Sequence, residues 1–161
     1  MAASIRFGVA VLFSLALPVS GSLAQGGGNQ VRITKLSDVA FGTIGNLGVD
    51  AVRSQSVCVY TDDKYQITGI GSGPGGSFQL NSGAQVLPYE VQWASSAGQS
   101  SGTQLNPNVP RTGLNSVAST QTCNFGPATS ASLIVILRAV ALSSATAGIY
   151  GGTLTLIAGA Q

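Results

Sequence analysis

Apolar residues recur at every second position in several short stretches of this chain. In LPYEVQW, Leu87, Tyr89, Val91 and Trp93 share one face, and Glu90 and Gln92 the other. The same alternation closes the sequence, in AGIYGGTLTLIAGAQ from Ala147 to Gln161. There Tyr150, Leu154 and Leu156 fall on one face, and Ile149, Thr153, Thr155 and Ile157 on the other. A period of two marks a half-buried strand, and the β-branched and aromatic content of these stretches suits one. Nothing in the sequence follows the last stretch. Its strand is therefore expected to take both neighbours from earlier sequence or from another molecule.

Other strands follow the same logic. In Val31–Phe41 the odd positions Val31, Ile33, Val39 and Phe41 are apolar, but Lys35 and Ser37 interrupt the face. That interruption predicts a bend, or a change of pairing partner, near Lys35. Ser56–Tyr60 predicts a second strand, ended by a turn at Asp62-Asp63, and Tyr65–Ile70 a third. GSGPGG (Gly71–Gly76) is a turn, because its glycines permit positive φ and Pro74 fixes its own φ. Ser77–Leu80 and Leu87–Trp93 predict the next pair. Ala94–Gly102 reads as a mobile loop, and the stretch from there to Arg111 as a long surface connection. Ser116–Cys123 reads as a weak strand. Leu133–Val140 is apolar on both faces; its shortness and the β-branched Val135 and Ile136 favour a central strand over a helix. Short strands, Gly/Ser/Pro turns and no long helix predict an all-β antiparallel sandwich in one domain, residues 25–161.

The first 24 residues carry the three parts of a secretory signal: Arg6, the apolar run Phe7–Leu17, and Ser22-Leu23-Ala24 ahead of a cleavage point at Gln25. The apolar run is well short of the roughly 20 residues that span a bilayer. Leu133–Leu142, the next most apolar run, is short and carries Arg138. The chain is thus expected to be exported and not integral to a membrane. Charged residues make up only 7%, but a hydrophobic content of 44% argues for a folded core. Loss of Arg6 leaves six of the seven basic residues against five acidic ones, a balance with no attraction for nucleic acid. Cys58 and Cys123 are the two cysteines. An even count in an exported chain predicts a disulfide, closing a loop of about 66 residues worth roughly 4 kcal/mol.

No catalytic constellation emerges. Nucleophilic chemistry at Ser or Thr needs a base, and the chain has no His. Lys35 and Lys64 sit in polar context without an S-x-x-K pattern. Asp62-Asp63 reads as a solvated turn cap. The glycine runs lack the phosphate-cradling patterns, and two thiols without His are too few for a metal site. Tyr60, Tyr65, Tyr89 and Trp93 could stack on a sugar, although aromatics at strand spacing more often belong to a core. No catalytic, cofactor-binding or metal residue is predicted.

Several short pieces together resemble a known family. They are the strand ending in Phe41-Gly42, the Val57-Cys58-Val59 strand, Tyr65–Ile67, and the closing Ala-Gly-x-Tyr-x-x-x-Leu-x-Leu from Ala147 to Leu156. Behind a signal peptide, this combination resembles the spore coat protein U family, which includes the Csu-type, or archaic, chaperone–usher pilins. The resemblance spans roughly Val31 to Ile157. It implies an incomplete immunoglobulin-like sandwich lacking its final strand. A periplasmic chaperone would lend that strand, an outer-membrane usher would export the subunit, and the N-terminal extension of another pilin subunit would replace the chaperone. It also implies a groove beside the terminal strand, lined by Tyr150, Leu154 and Leu156 or by Ile149 and Ile157, with Val31 and Ile33 as a short donor segment. The sequence departs from the family in two ways. Val31–Phe41 has no cysteine, and Gln25–Asn29 lacks the alternating apolar residues of a donor. The competing expectation is a secreted, self-contained binding sandwich, such as an adhesin or carbohydrate-binding module. N-terminal sequencing of exported protein should find Gln25, or a residue within one or two of it, at the start; retention of Met1 would remove the periplasmic expectation.

Overall fold

The computed structural model describes residues 30–161 and the backbone of residues 3–10. Twelve strands run through them: β1 (Ala3–Ala10), β2 (Val31–Thr34), β3 (Ala40–Ile44), β4 (Ala51–Thr61), β5 (Tyr65–Gly71), β6 (Gln79–Ser82), β7 (Gln85–Pro88), β8 (Glu90–Ala94), β9 (Thr103–Leu105), β10 (Arg111–Leu114), β11 (Ala131–Leu137) and β12 (Ile149–Ala160). They form two sheets. One has the order β2-β4-β11-β8-β9; the other has β10-β5-β12-β1-β3, with the β6–β7 hairpin joined to β12. β1 and β12 run parallel, and the other paired strands run antiparallel. The layer β2-β4-β11-β8 facing β5-β12 is the strand order of an immunoglobulin-like sandwich. The all-β antiparallel expectation holds. The expected cleavage site at Ser22–Gln25 lies outside the described residues.

The apolar alternation builds the core between these layers. Ile33, Phe41, Val57, Val59, Tyr65, Ile67, Leu80, Leu87, Val91, Trp93, Leu133, Val135, Tyr150, Leu154 and Leu156 are all buried there. β11 is buried at all seven of its positions. Part of the cover on its outer face comes from the loop after β8, which the sequence marks as mobile. Ser132 Oγ donates to the Ser96 carbonyl at 2.8 Å and accepts from the Gln99 N–H at 3.0 Å. Ser56 Oγ of β4 accepts from the Gly98 N–H at 2.8 Å, and Gln92 of β8 accepts from the Gly102 N–H. Small hydroxyls on the sheet thus satisfy the backbone of a loop laid over it.

Two predicted strands divide because they cross between layers. At Lys35 the backbone takes φ +63°, a left-handed conformation uncommon for a side-chain-bearing residue. Before it, β2 pairs with β4; after it, β3 pairs with β1 in the opposite sheet. Lys35 Nζ fixes this corner by donating to the carbonyl of Ala128 at 2.7 Å and that of Cys123 at 3.4 Å. LPYEVQW divides at Tyr89, between β7 in one sheet and β8 in the other. The Tyr89 N–H donates to the Phe78 carbonyl, and the two rings stack 5.5 Å apart. Leu87, Tyr89, Val91 and Trp93 stay buried throughout, because the crossing keeps one side of the segment toward the core.

Three expectations need correction. The supposed surface connection contains β9 and contributes β10 at its end. Ser116–Cys123 forms no strand: Ser116 Oγ donates to the Val59 carbonyl and accepts from the Ala118 N–H, replacing ladder bonds with side-chain ones. The apolar run Leu133–Val140 ends as a strand at Leu137, and a short helix α1 (Ala139–Ser144) follows. Asp50 accepts from the first helical N–H, of Ala139, at 2.8 Å and from Arg138 Nη1 at 2.7 Å, while Arg138 Nη2 donates to Glu90. The Ala139 N–H first, and then Arg138, hold the Asp50 carboxyl below its usual range.

Cys58 of β4 and Cys123 of the loop after β10 are disulfide-bonded, with their α-carbons 5.9 Å apart. The bridge is buried beside Ala118 and Tyr60. It ties a loop without regular structure to a central strand, and Lys35 binds the same loop at Cys123 and Ala128. Cys58→Ala is expected to cost about 2–5 kcal/mol, the usual range for a native disulfide; urea unfolding of oxidised wild type against the variant measures it.

Candidate functional site

β12 has two edges, and they are partnered differently. On one edge, Leu154–Ala160 pair with β5, and Gly151 pairs with Asn81 of β6. Along the other, Ile149–Thr155 pair one-to-one with Ser4–Ala10 of β1, in seven register pairs. The far edge of β1 pairs with β3, from Ala3 opposite Ile44 to Arg6 opposite Ala40, with a register shift between Ile5 and Arg6. β3 has no other ladder partner among the described residues. A gap one strand wide therefore lies between β3 and β12, and residues 3–10 span it.

The walls of this gap are apolar. Tyr150 and Leu154 of β12 are buried, as are Phe41 and Ile44 of β3 and Val39 before it. Leu156 is buried further along β12. Ile149 is 72% exposed and Ile157 41% exposed, on the outer face. Of the two faces left open by the sequence, the one carrying Tyr150 and Leu154 faces the core beside the gap. Tyr150 Oη donates to the Thr146 carbonyl at 2.9 Å, so the ring is held by the turn that starts β12. Neither β3 nor Ile149–Thr155 carries a charged side chain. The edges of β12 and β3 are met here by the backbone of β1, with buried apolar side chains of both walls beside that ladder.

Arg53 is a residue that sequence reasoning missed. From β4, in the other sheet, it reaches β3: Nε donates to the Ala40 carbonyl at 3.2 Å and Nη2 to the Phe41 carbonyl at 3.4 Å. Its guanidinium also lies 5.7 Å from the Phe41 ring centre. This side chain anchors one wall of the gap independently of β1. Arg53 lies ahead of the predicted Ser56–Tyr60 strand, whereas β4 starts at Ala51, so no sequence signal marked it.

The remaining predicted residues are placed elsewhere. Val31 and Ile33 belong to β2 and pair with Thr61 and Val59 of the same domain. Cys58 and Cys123 form their bridge away from β12. Tyr65, Tyr89 and Trp93 are buried, and Trp93 Nε1 donates to Tyr65 Oη at 3.0 Å, so these aromatics are core and not a sugar platform. Asp62 accepts from Tyr60 Oη and from the Gln30 N–H; these bonds, Tyr60 first, hold its carboxyl below the usual range. It caps a turn. Among the described residues, no cluster of three or more His, Cys, Asp or Glu could hold a metal, and no helix is long and apolar enough to cross a membrane.

No protein-family model and no curated protein matches this chain. The site therefore stands on its geometry.

One position tests how tightly β12 is seated. A β-carbon at Gly152 would lie 2.9 Å from the Gln79 carbonyl oxygen and from Leu80 Cδ2, and 3.0 Å from Ser72 Oγ. Ser72 Oγ in turn accepts from the Thr153 N–H. Only glycine lets β12 pass β6 at this distance. Gly152→Val is expected to destabilise the protein by about 1–3 kcal/mol, as for an overpacked core site, read as a lower denaturation midpoint.

Proposed function

We propose that this chain is an exported structural subunit of a surface pilus or coat, assembled by a chaperone–usher route through donor-strand complementation. The observation that carries the reading is the gap between β3 and β12, which the residues from 30 onward do not fill. Removal of a leader at Gln25 takes β1 away. The Ile149–Thr155 edge and the whole of β3 then lose their ladder partner. Buried apolar side chains with unpaired backbone beside them are unfavourable in water and prone to associate. A periplasmic chaperone answers both needs by lending a strand, and another pilin subunit later takes its place, passing through an outer-membrane usher to the cell surface. This is β-augmentation, with main-chain bonds for affinity and side-chain pockets for specificity.

The placement of Val31 and Ile33 refines the role. Both are committed to β2, so the processed chain has only Gln25–Gln30 ahead of its first strand. Such a subunit accepts a strand but has little to lend, which suits a fibre end better than a shaft.

The expected behaviour follows from magnitudes. Each large apolar side chain moved from water into the gap contributes about 1.5–3 kcal/mol, against a whole-domain stability of about 5–15 kcal/mol. The processed domain alone should be weakly stable or aggregate, and a donor peptide or strand-lending chaperone should raise its Tm sharply. Leu154→Asp should abolish that gain, while Ile149→Asp, on the exposed face, should leave it intact. A processed domain that is monomeric, highly stable and indifferent to donors would favour the self-contained binding sandwich instead.

A further inference from the structure

We propose that, before processing, the leader's own residues 3–10 occupy the gap in cis, so that the N-terminal segment acts as an internal donor strand until it is removed. The inference rests on the strand-acceptor reading above and adds the identity of the first occupant.

The segment has the pattern a donor needs. In ASIRFGVA, Ile5, Phe7 and Val9 alternate with Ser4, Arg6 and Gly8. The register sets Ile5 opposite Tyr150, Phe7 opposite Gly152 and Val9 opposite Leu154. Ile5 and Val9 thus stand level with the buried Tyr150 and Leu154, and Phe7 with the half-buried Gly152 between them. Gln25–Asn29, the stretch just ahead of the first strand, has no such alternation. The donor pattern lies in the part of the chain that export would discard.

Both walls are satisfied at once. β1 runs parallel to β12 and antiparallel to β3, supplying seven register pairs to the first and four to the second. Gly42 takes φ +68° opposite Ile5, where the β1–β3 register shifts, so the mismatch is absorbed at a residue without a β-carbon. The connection can be made within one chain. Ala10 and Val31 are separated by 20 residues, which reach up to roughly 70 Å when extended, whereas a twelve-residue strand such as β12 is about 40 Å long. A tethered strand also competes at an effective concentration in the millimolar range. While the leader is attached, a donor on another molecule competes against that tether. Processing removes the tether and opens the site.

The test uses the full, unprocessed chain, refolded with its native disulfide. Gly8→Cys combined with Thr153→Cys places thiols at a register pair; Gly8→Cys with Ile157→Cys is the out-of-register control. A short thiol–thiol cross-linker should join positions 8 and 153 within a monomer and leave the control unjoined. The double variant Phe7→Asp/Val9→Asp of the full chain should melt on the order of 10 °C lower, and added ASIRFGVA peptide should recover much of the loss. A cross-link between two chains overturns occupancy in cis; peptide recovery in that case leaves the strand-acceptor reading standing. An unjoined 8–153 pair with an unchanged Tm in the double variant also overturns it. If the processed domain is then indifferent to donor strands as well, the strand-acceptor reading falls too.

Discussion

A strand inside a sheet has two edges, and each must find a partner for its amides and carbonyls. That requirement governs this molecule at β12. One edge is met by β5 and β6, within the domain. The other is met by residues 3–10 alone. The penalty for leaving it unmet is a row of polar groups deprived of partners beside buried Tyr150 and Leu154, in a site too apolar for water to substitute well. Whatever seats itself there must be a strand. An isolated side chain or a small polar ligand cannot satisfy a ladder.

The rest of the fold makes such a gap tolerable. The sheet β2-β4-β11-β8-β9 is complete without β1, and its central strand is buried along its whole length. The disulfide and the Lys35 contacts fasten the long loop after β10 to that sheet, and Arg138 joins Asp50 and Glu90 at the end of β11. On the other side, Arg53 holds the carbonyls of Ala40 and Phe41, so that β3 is anchored even where its ladder depends on β1. These interactions hold both walls by contacts that do not involve β1.

The legible part of this architecture is what depends on alternation. The strands around Val31, Cys58, Tyr65, Leu87 and Tyr150, and the break at Lys35, follow from a period of two and its interruption. The disulfide follows from counting two thiols in a chain expected to be exported. What escaped the reading was decided by tertiary partners. β9 and β10 are three and four residues long, too short for a period to show. Ser116–Cys123 has strand composition, but Ser116 bonds the Val59 backbone and diverts it. The turn into α1 depends on Asp50, 89 residues earlier than Ala139. The crossing at Tyr89 is invisible because both halves bury the same face. At the candidate site, Tyr150 and Leu154 were readable as one face of a strand, whereas Arg53 and the alternation in residues 3–10 were not. Arg53 fell outside the predicted Ser56–Tyr60 strand, and an apolar N-terminus reads as a leader.

That last masking has a physical basis. An export signal selects for apolar content in a short segment after a positive charge, and a donor strand selects for apolar residues at every second position. Ile5, Phe7 and Val9, spaced by Ser4, Arg6 and Gly8, fit both patterns. Under the proposed reading the two roles would conflict only in time: a leader would have to be accessible and removable, whereas the strand is paired along both edges. Its pairing with β12 involves no residue beyond Thr155, leaving β12's pairing with β5 from Leu156 to Ala160 independent of it. Withdrawal of β1 therefore opens one edge of the sheet without undoing the other. The proposed change of occupant would require that separation.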